Sequence, residues 1–457
     1  MQEPKAFTTR PFLIRSDNFN PRNYDPVFLF VKTGLQKCPE LWTMLSEEIT
    51  SGSTPPPWLF RKRYEGGIPY VKTSAILRDF INLNDLHFIH QPYHQKELAR
   101  SVTKPNDVVY SMTGKFMGKA ALCPPQIREL NMTQNSVVLR CKTPAKAAFV
   151  CVFLNSPINR TQVRGVYSIT KQKYLNQDSI RKLKIVEYSD EFERPSAAYV
   201  QAQKKFYDSV TSIQRTISKF DQYVKMSESV FDSSTTFRLK LDSLGTRIFT
   251  PVHYRKDFLD AMRAFEKDKE EKRLSEVQRR KGVEVGSANY LFEGVPFIKT
   301  SDYINFGVDY QPDYYCSPAL YEEVAQGLQV GDILFTKDGK IGQTALLEES
   351  AKIVYSSGSV RLRPESRADG YWLFLVLSSV YGRIYYERWT VIASTMAHLQ
   401  KDFFEDFKMP LVDEGFKAQL IEELRTAFLA KRKAYEEIEA SKGSLLRLFN
   451  NVVKVQA

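Results

Sequence analysis

Cysteine is scarce in this 457-residue chain: Cys38, Cys123, Cys141, Cys151 and Cys316 are scattered, odd in number and never spaced C-x-x-C. There is no disulfide framework to read, and a reducing cytosol is the natural compartment, so a cytoplasmic protein is expected. Long apolar runs are also missing. The longest, YWLFLVLSSV from Tyr371, is ten residues, against the roughly 18 to 20 that cross a bilayer. The opening MQEPKAFTTRPF lacks an apolar signal core, so neither a membrane span nor export is expected. No G-x4-G-K-[ST], G-x-S-x-G or H-E-x-x-H occurs, nor an NPPY-like tetrapeptide of the kind amino-methyltransferases use on a flipped base. Catalysis by this chain alone is therefore not expected, and neither is a cofactor.

What is present begins with apolar material. Hydrophobic residues make up 43% and aromatics 13%, enough to fill two large cores and to exclude disorder over most of the length. Lys plus Arg outnumber Asp plus Glu by 65 to 53, a formal charge of +12. That surplus suits a polyanionic partner such as nucleic acid; the alternative is a solvated basic surface.

The chain also says the same thing twice. GIPYVKTS at Gly67 returns as GVPFIKTS at Gly294, and NDVVYSMTGKFMGKAAL at Asn106 as GDILFTKDGKIGQTALL at Gly331. FNPRNY, with Phe19, Pro21 and Tyr24, is answered by FTPVHY, with Phe249, Pro251 and Tyr254, and NSVVLR at Asn135 by GSVRLR at Gly358. The step is 227 residues at the first motif, 230 at the triplet and 223 at the last. A period of that size is a domain and not a solenoid unit.

Each copy reads as a mixed α+β domain. VVYSM and DILFT are short strands ending in the glycine turns TGK and DGK, AALCPP and TALLEE resume the strand character, and AAFVCVFLNSP and YWLFLVLSSVYG read as helices. The period then changes. Tyr199, Ala202, Phe206, Val210, Ile213, Ile217, Phe220 and Val224 form a heptad stripe, as do Phe416, Leu420, Leu424, Ala427, Lys431, Ala434 and Ile438. Neither narrow seam can be buried by its own helix, so an antiparallel pair between the copies is expected, a coiled-coil spacer. Helices of about 26 residues would extend roughly 39 Å, near one turn of duplex DNA. The predicted domains are residues 1–192 and 231–411, with spacer helices over 193–230 and 412–452. EKDKEEKRLSEVQRRKG from Glu266 reads as a solvated helix, with Arg279, Arg280 and Lys281 a lesser option for tracking DNA.

Three clusters invite chemistry. His87, His90 and His94 suggest a metal, but Pro92 interrupts a common helical face, and the second copy keeps Gln311 and Pro312 for Gln91 and Pro92 without any histidine. Asp332, Asp338 and Lys340 could hold Mg²⁺ and orient a water, though Thr113 replaces the second acid in the first copy. A structural turn at Asp338-Gly339 is favoured, and no metal is expected. GKIG at Gly339 and GKFMG at Gly114 are glycine-bounded turns that let backbone N–H groups approach a phosphate; an ordinary β-turn is the alternative.

Two domains, each with G-[IV]-P-[YF]-[VI]-K-T-S, then D-[VI]-[VL]-[YF] with a glycine turn, then a long helix, resemble the specificity subunits of type I restriction-modification systems. SGSTP at Ser51 strengthens the match. The resemblance implies two target-recognition domains held apart by two helices, each reading half of a split double-stranded DNA site. It also implies docking of methyltransferase subunits, two of them, with restriction or translocase subunits where present, in phage defence. The Pro-rich step and E-Q-x-x-I helix start of that family are replaced here by VEYSDEFERPSAAY and MPLVDEGFKAQL. A divergent methyltransferase of a related phage-defence complex is thus an alternative partner.

Candidate DNA contacts are Lys72, Thr73, Lys115 and Lys119 in the first copy and Lys299, Thr300, Lys337 and Lys340 in the second. Arg164, Lys171 and Lys173 in RGVYSITKQK, and its counterpart with Arg388, Ser394 and Thr395, could reach a groove. Phe206, Val210, Ile213, Ile217, Leu420, Leu424 and Ile438 mark the helices expected to dock partners. A Mg²⁺-dependent nuclease using Asp332, Asp338 and Lys340, and a protein-binding scaffold with incidental charge, are the competing readings.

Overall fold

The structure is a computed structural model that describes residues 25–62, 65–114, 117–166, 168–169, 173–232, 251–263, 273–393 and 396–456. The chain folds as two compact units, one of Gln2–Asp208 with Lys431–Ala457 and the other of Ser209–Ala430. Each holds one copy of the repeat and part of each long helix.

The copies share their sheet plan. In the first, an antiparallel sheet runs Thr50–Ser51, Ser136–Leu139, Val108–Ser111, Ala120–Leu122. In the second the same order is Gln278–Lys281, Ser359–Arg363, Ile333–Thr336, Thr344–Leu346. The central strands VVYS and ILFT are buried at every position, which is why they read as unbroken apolar runs. A second sheet centres on the first motif. Ile68–Val71 pairs antiparallel with His87–Ile89 and parallel with Asn131–Met132. Val295–Ile298 does the same with Tyr315–Cys316 and Val354–Tyr355.

This register corrects one sequence match. Ile68 lies opposite Ile89 and Val295 opposite Cys316, so Gln91, which starts the helix after its strand, does not correspond to Gln311, which precedes its strand.

The apolar runs are helices, Pro144–Asn155 and Arg367–Ser378, capped by the hydroxyls of Thr143 and Ser366. Both are buried almost all round, as expected of helices inside a core. Phe374 is wholly buried, and its truncation to Ala would cost about 3–5 kcal/mol.

The long helices span Asp190–Tyr223 and Glu414–Gln456. Their stripes are buried from Tyr199 to Val224 and from Leu420 to Ile438, with Lys431 and Phe416 half-buried. In the unit of the first copy, Phe192 stacks with Phe449 and Lys205 meets Glu437 at 2.6 Å. In the other unit, Lys219 meets Glu423 at 2.7 Å and Tyr223 stacks on Phe416. Advancing on one helix retreats on the other, so they pair antiparallel. The second stripe also continues through Leu445, Phe449 and Val453, all buried.

Two expectations change. Phe206, Val210, Ile213, Ile217, Leu420, Leu424 and Ile438 are buried within their own units, so these side chains hold the fold together and offer no face to a partner. Gln278–Lys281 is an exposed edge strand and not a solvated helix. Its four polar residues pair with the neighbouring strand through the backbone, Gln278 Oε1 also accepting from Arg361, and charge on an edge discourages further strand addition. Arg279 reaches Glu405 at 3.1 Å and Arg280 donates to the carbonyls of Val324 and Ala325, so two of its three cations serve the fold. Residues 266–272 of that charge run lie outside the described residues.

Candidate nucleic-acid interface

Three loops meet at one end of the sheets, in the same way in each copy. The first is the K-T-S turn. Ile68–Val71 and Val295–Ile298 both run into short 3-10 turns, Thr73–Ala75 and Thr300–Asp302, with Lys72 and Lys299 at the junctions. Lys72 Nζ lies 5.4 Å over the Phe60 ring. Lys299 Nζ lies 3.9 Å from the ring centre of Tyr314 and 4.1 Å from that of Tyr290. Phe60 pairs with Ile89, and Leu291, next to Tyr290, bridges Tyr315, so Phe60 and Tyr290 occupy matching places. Cation–π attraction holds both lysines at the turn while leaving them half-exposed. Thr73 and Thr300 begin the turns themselves, and a Cβ on Gly358 would touch the Thr300 methyl at 2.8 Å.

The second is the glycine turn. Gly114 and Gly118 have φ of 64° and 86°, and Gly339 and Gly342 have 72° and 85°. Matching left-handed positions explain why glycine returns at both ends although the first copy has one more residue between them. Thr336 Oγ1 donates to the Lys340 carbonyl and accepts from Gln343 N. Lys340 is thereby presented on the exposed tip. Lys115 lies outside the described residues.

The third is a hairpin after the second core helix: Ser168–Ile169 with Lys173–Tyr174, and Thr390–Ala393 with Met396–Leu399. Each is fastened to its glycine turn by one bridge, Thr113 to Tyr174 and Asp338 to His398. Leu175 N donates to Met112 O at 3.0 Å, and Leu399 N to Lys337 O at 2.8 Å. Lys173 belongs to this ribbon; Lys171, Ser394 and Thr395 lie outside the described residues.

Two candidate contacts are placed elsewhere. Lys119 is only 3% exposed and cannot present its charge to a duplex. Arg388 is also buried: it donates to the His253 carbonyl at 3.1 Å and pairs with Asp406 at 3.3 Å. Burial, then the Arg388 charge, lowers the pKa of His253. Arg164, in the corresponding helix of the first copy, is exposed. Lys337 stays near the surface and pairs with Asp338, whose other oxygen meets His398 Nδ1 at 2.9 Å.

The acid–acid–lysine cluster does not assemble. Asp332 is buried and held by Arg363 through two 2.7 Å bonds, with Gln329 N donating as well. Asp332 and Asp338 flank a four-residue strand, about 13 Å of rise. Among the described residues no group of three or more His, Cys, Asp or Glu is placed to hold a metal ion. His94 is buried between Glu129, at 3.3 Å, and Asn131, at 3.1 Å. Among the described residues, no helix is long and apolar enough to cross a membrane.

Neither a protein-family model nor a curated protein matches this chain. Among solved structures, it is similar to the type I restriction-modification S subunit from M. genitalium, at 14% identity and TM-score 0.32, covering 92% of this chain and 95% of that one. It is also similar to the HsdS subunit from Thermoanaerobacter tengcongensis, at 15% identity and TM-score 0.26, over 90% and 97% of the two chains. The type IIG restriction endonuclease BpuSI matches at 12% identity and TM-score 0.28, over 76% of this chain and 43% of that one. At such identities and scores the α+β fold described above rests on its own registers.

Proposed function

We propose that this chain is a non-catalytic DNA-specificity subunit of a type I restriction-modification complex, reading a bipartite target with two recognition domains, 1–192 and 231–411. The carrying observation is the loop cluster of K-T-S turn, glycine turn and hairpin, built twice with the same registers on a basic chain. Two readers on one chain bind a split site together, and only one gap lets both engage without deforming the duplex. Lys72, Thr73 and Arg164 in one copy and Lys299, Thr300, Lys337 and Lys340 in the other would meet phosphates and supply affinity. Other side chains would meet base edges and supply sequence.

The spacer helices, 193–230 and 412–452, would dock methyltransferase subunits through their outer faces, where Lys204, Arg215, Glu422 and Lys433 are exposed. S-adenosylmethionine and the methyl transfer would belong to those subunits, and a restriction subunit would join the same core. The test is selection of ligands by the full-length chain from a random-sequence duplex library. Two short specified segments with one fixed gap are expected, bound with steep salt dependence. Enrichment of no sequence would overturn the reading.

A further inference from the structure

The hairpin of the second copy is fixed at its root and carries two exposed apolar side chains farther along its strands. At the root, Trp389 and Leu399 are buried, Trp389 Nε1 donates to Asp406 at 2.8 Å, and Thr390 Oγ1 donates to Tyr386 O at 2.6 Å. Gly339 N donates to Ala397 O at 2.9 Å, tying the outer strand to the glycine turn. Further out, Ile392 is 75% exposed and Met396 50%; each is paired with an alanine, Ala397 and Ala393, so the two side chains project from opposite faces of the ribbon. Nothing in the core of the unit uses these two side chains.

A two-stranded ribbon is narrow enough for the major groove of B-DNA. Cationic groups stand beside it: Lys340 is exposed on the adjoining turn, and the Asp338 carboxylate is offset by Lys337. Ile and Met side chains offer a groove almost no hydrogen bond. Among the base-edge groups of the major groove, the apolar one is the thymine 5-methyl.

Resting on the DNA-recognition reading, we propose that this ribbon enters the major groove of the half-site read by the second copy, and that Ile392 and Met396 recognise thymine through its methyl group. The repeat supplies an internal control. The first copy places a ribbon on the same bridge but builds it from different residues, with Tyr174 exposed. Turns that grip the backbone are shared, while ribbons that read bases differ, so the two halves of the target differ in sequence.

The experiment is the duplex selection with the full-length chain, repeated for Ile392→Ser and Met396→Ser, whose exposed positions leave folding intact as checked by thermal melting. The expected result is that thymine positions in one half of the motif become degenerate while the other half is unchanged. Replacing those thymines by uracil should weaken the natural chain roughly fourfold per methyl and leave the serine variants indifferent. A motif kept in both halves by both variants, or equal affinity for thymine and uracil, overturns the proposal and assigns the ribbon to another partner. If the natural chain enriches no motif at all, the DNA-recognition reading itself has failed, and the ribbon assignment with it.

Discussion

Lys442 and Asp79, 363 positions apart in the chain, form a buried ion pair with Nζ 2.5 Å from Oδ2. Both belong to the unit that combines the first copy with the end of the second long helix. Asp79 stands at φ 72° and also accepts from Asn155 Nδ2 at 2.9 Å and Tyr199 OH at 3.1 Å. Burial opposes the charge on Lys442, but Asp79 and Glu439 outweigh it and raise the lysine pKa. Four segments distant in sequence are thus tied at one carboxylate, and the closing helix is part of the first unit's core.

Lys442→Met should therefore destabilise by about 3–5 kcal/mol, because it leaves Asp79 charged and buried. Asp79→Asn added to Lys442→Met should recover part of that loss. Urea denaturation of the single and double variants checks the order; equal loss in both would mean that packing, not charge, dominates.

Asp221 gives stability a pH signature. Its carboxylate accepts from Val380 N at 2.9 Å, and burial, with a smaller contribution from Glu228, raises its pKa to about 7. The folded state thus holds a proton between about pH 4 and 7 that the unfolded state has released, so this group's contribution falls as pH rises through that window. Asp221→Asn keeps an acceptor for Val380 N. It should match the natural chain at pH 4 and exceed it above pH 7, by on the order of a few kcal/mol. Parallel melting curves at pH 4 to 8 would show the two diverging; curves that stay parallel contradict the burial argument.

Gly342 is held by space as well as by φ. A Cβ there would strike the Tyr386 ring, and φ of 85° disfavours any side chain. Gly342→Ala should cost about 1–3 kcal/mol. Gly339→Ala, where the Cβ would meet only Thr300 Oγ1 at 3.5 Å, should cost less. Thermal melting ranks the pair.

Much of this architecture was legible in residues. The repeated motifs fall on matching strands and turns, and the stripe from Tyr199 to Val224 is buried as its spacing implies. The hidden parts depend on chain segments meeting in space. Lys442 with Ser441 reads as a break in the apolar stripe because its partner, Asp79, comes from the first domain. Arg164 and Arg388 lie near the ends of corresponding helices, yet one is exposed and the other buried, since Asp406 and the His253 carbonyl close around Arg388. The hairpin at Thr390 carries no Asn-Gly or Asp-Gly signal, and QRRK shows no apolar alternation. Both were invisible to pattern.

The most direct test of two coupled readers is the affinity of the full-length chain for its selected duplex against the same two half-sites with the gap lengthened by two base pairs. Two readers at one separation predict a loss of at least about tenfold, with each isolated half-site binding as weakly as the altered duplex. Equal affinity for both gaps, or for one half-site alone, would contradict the account.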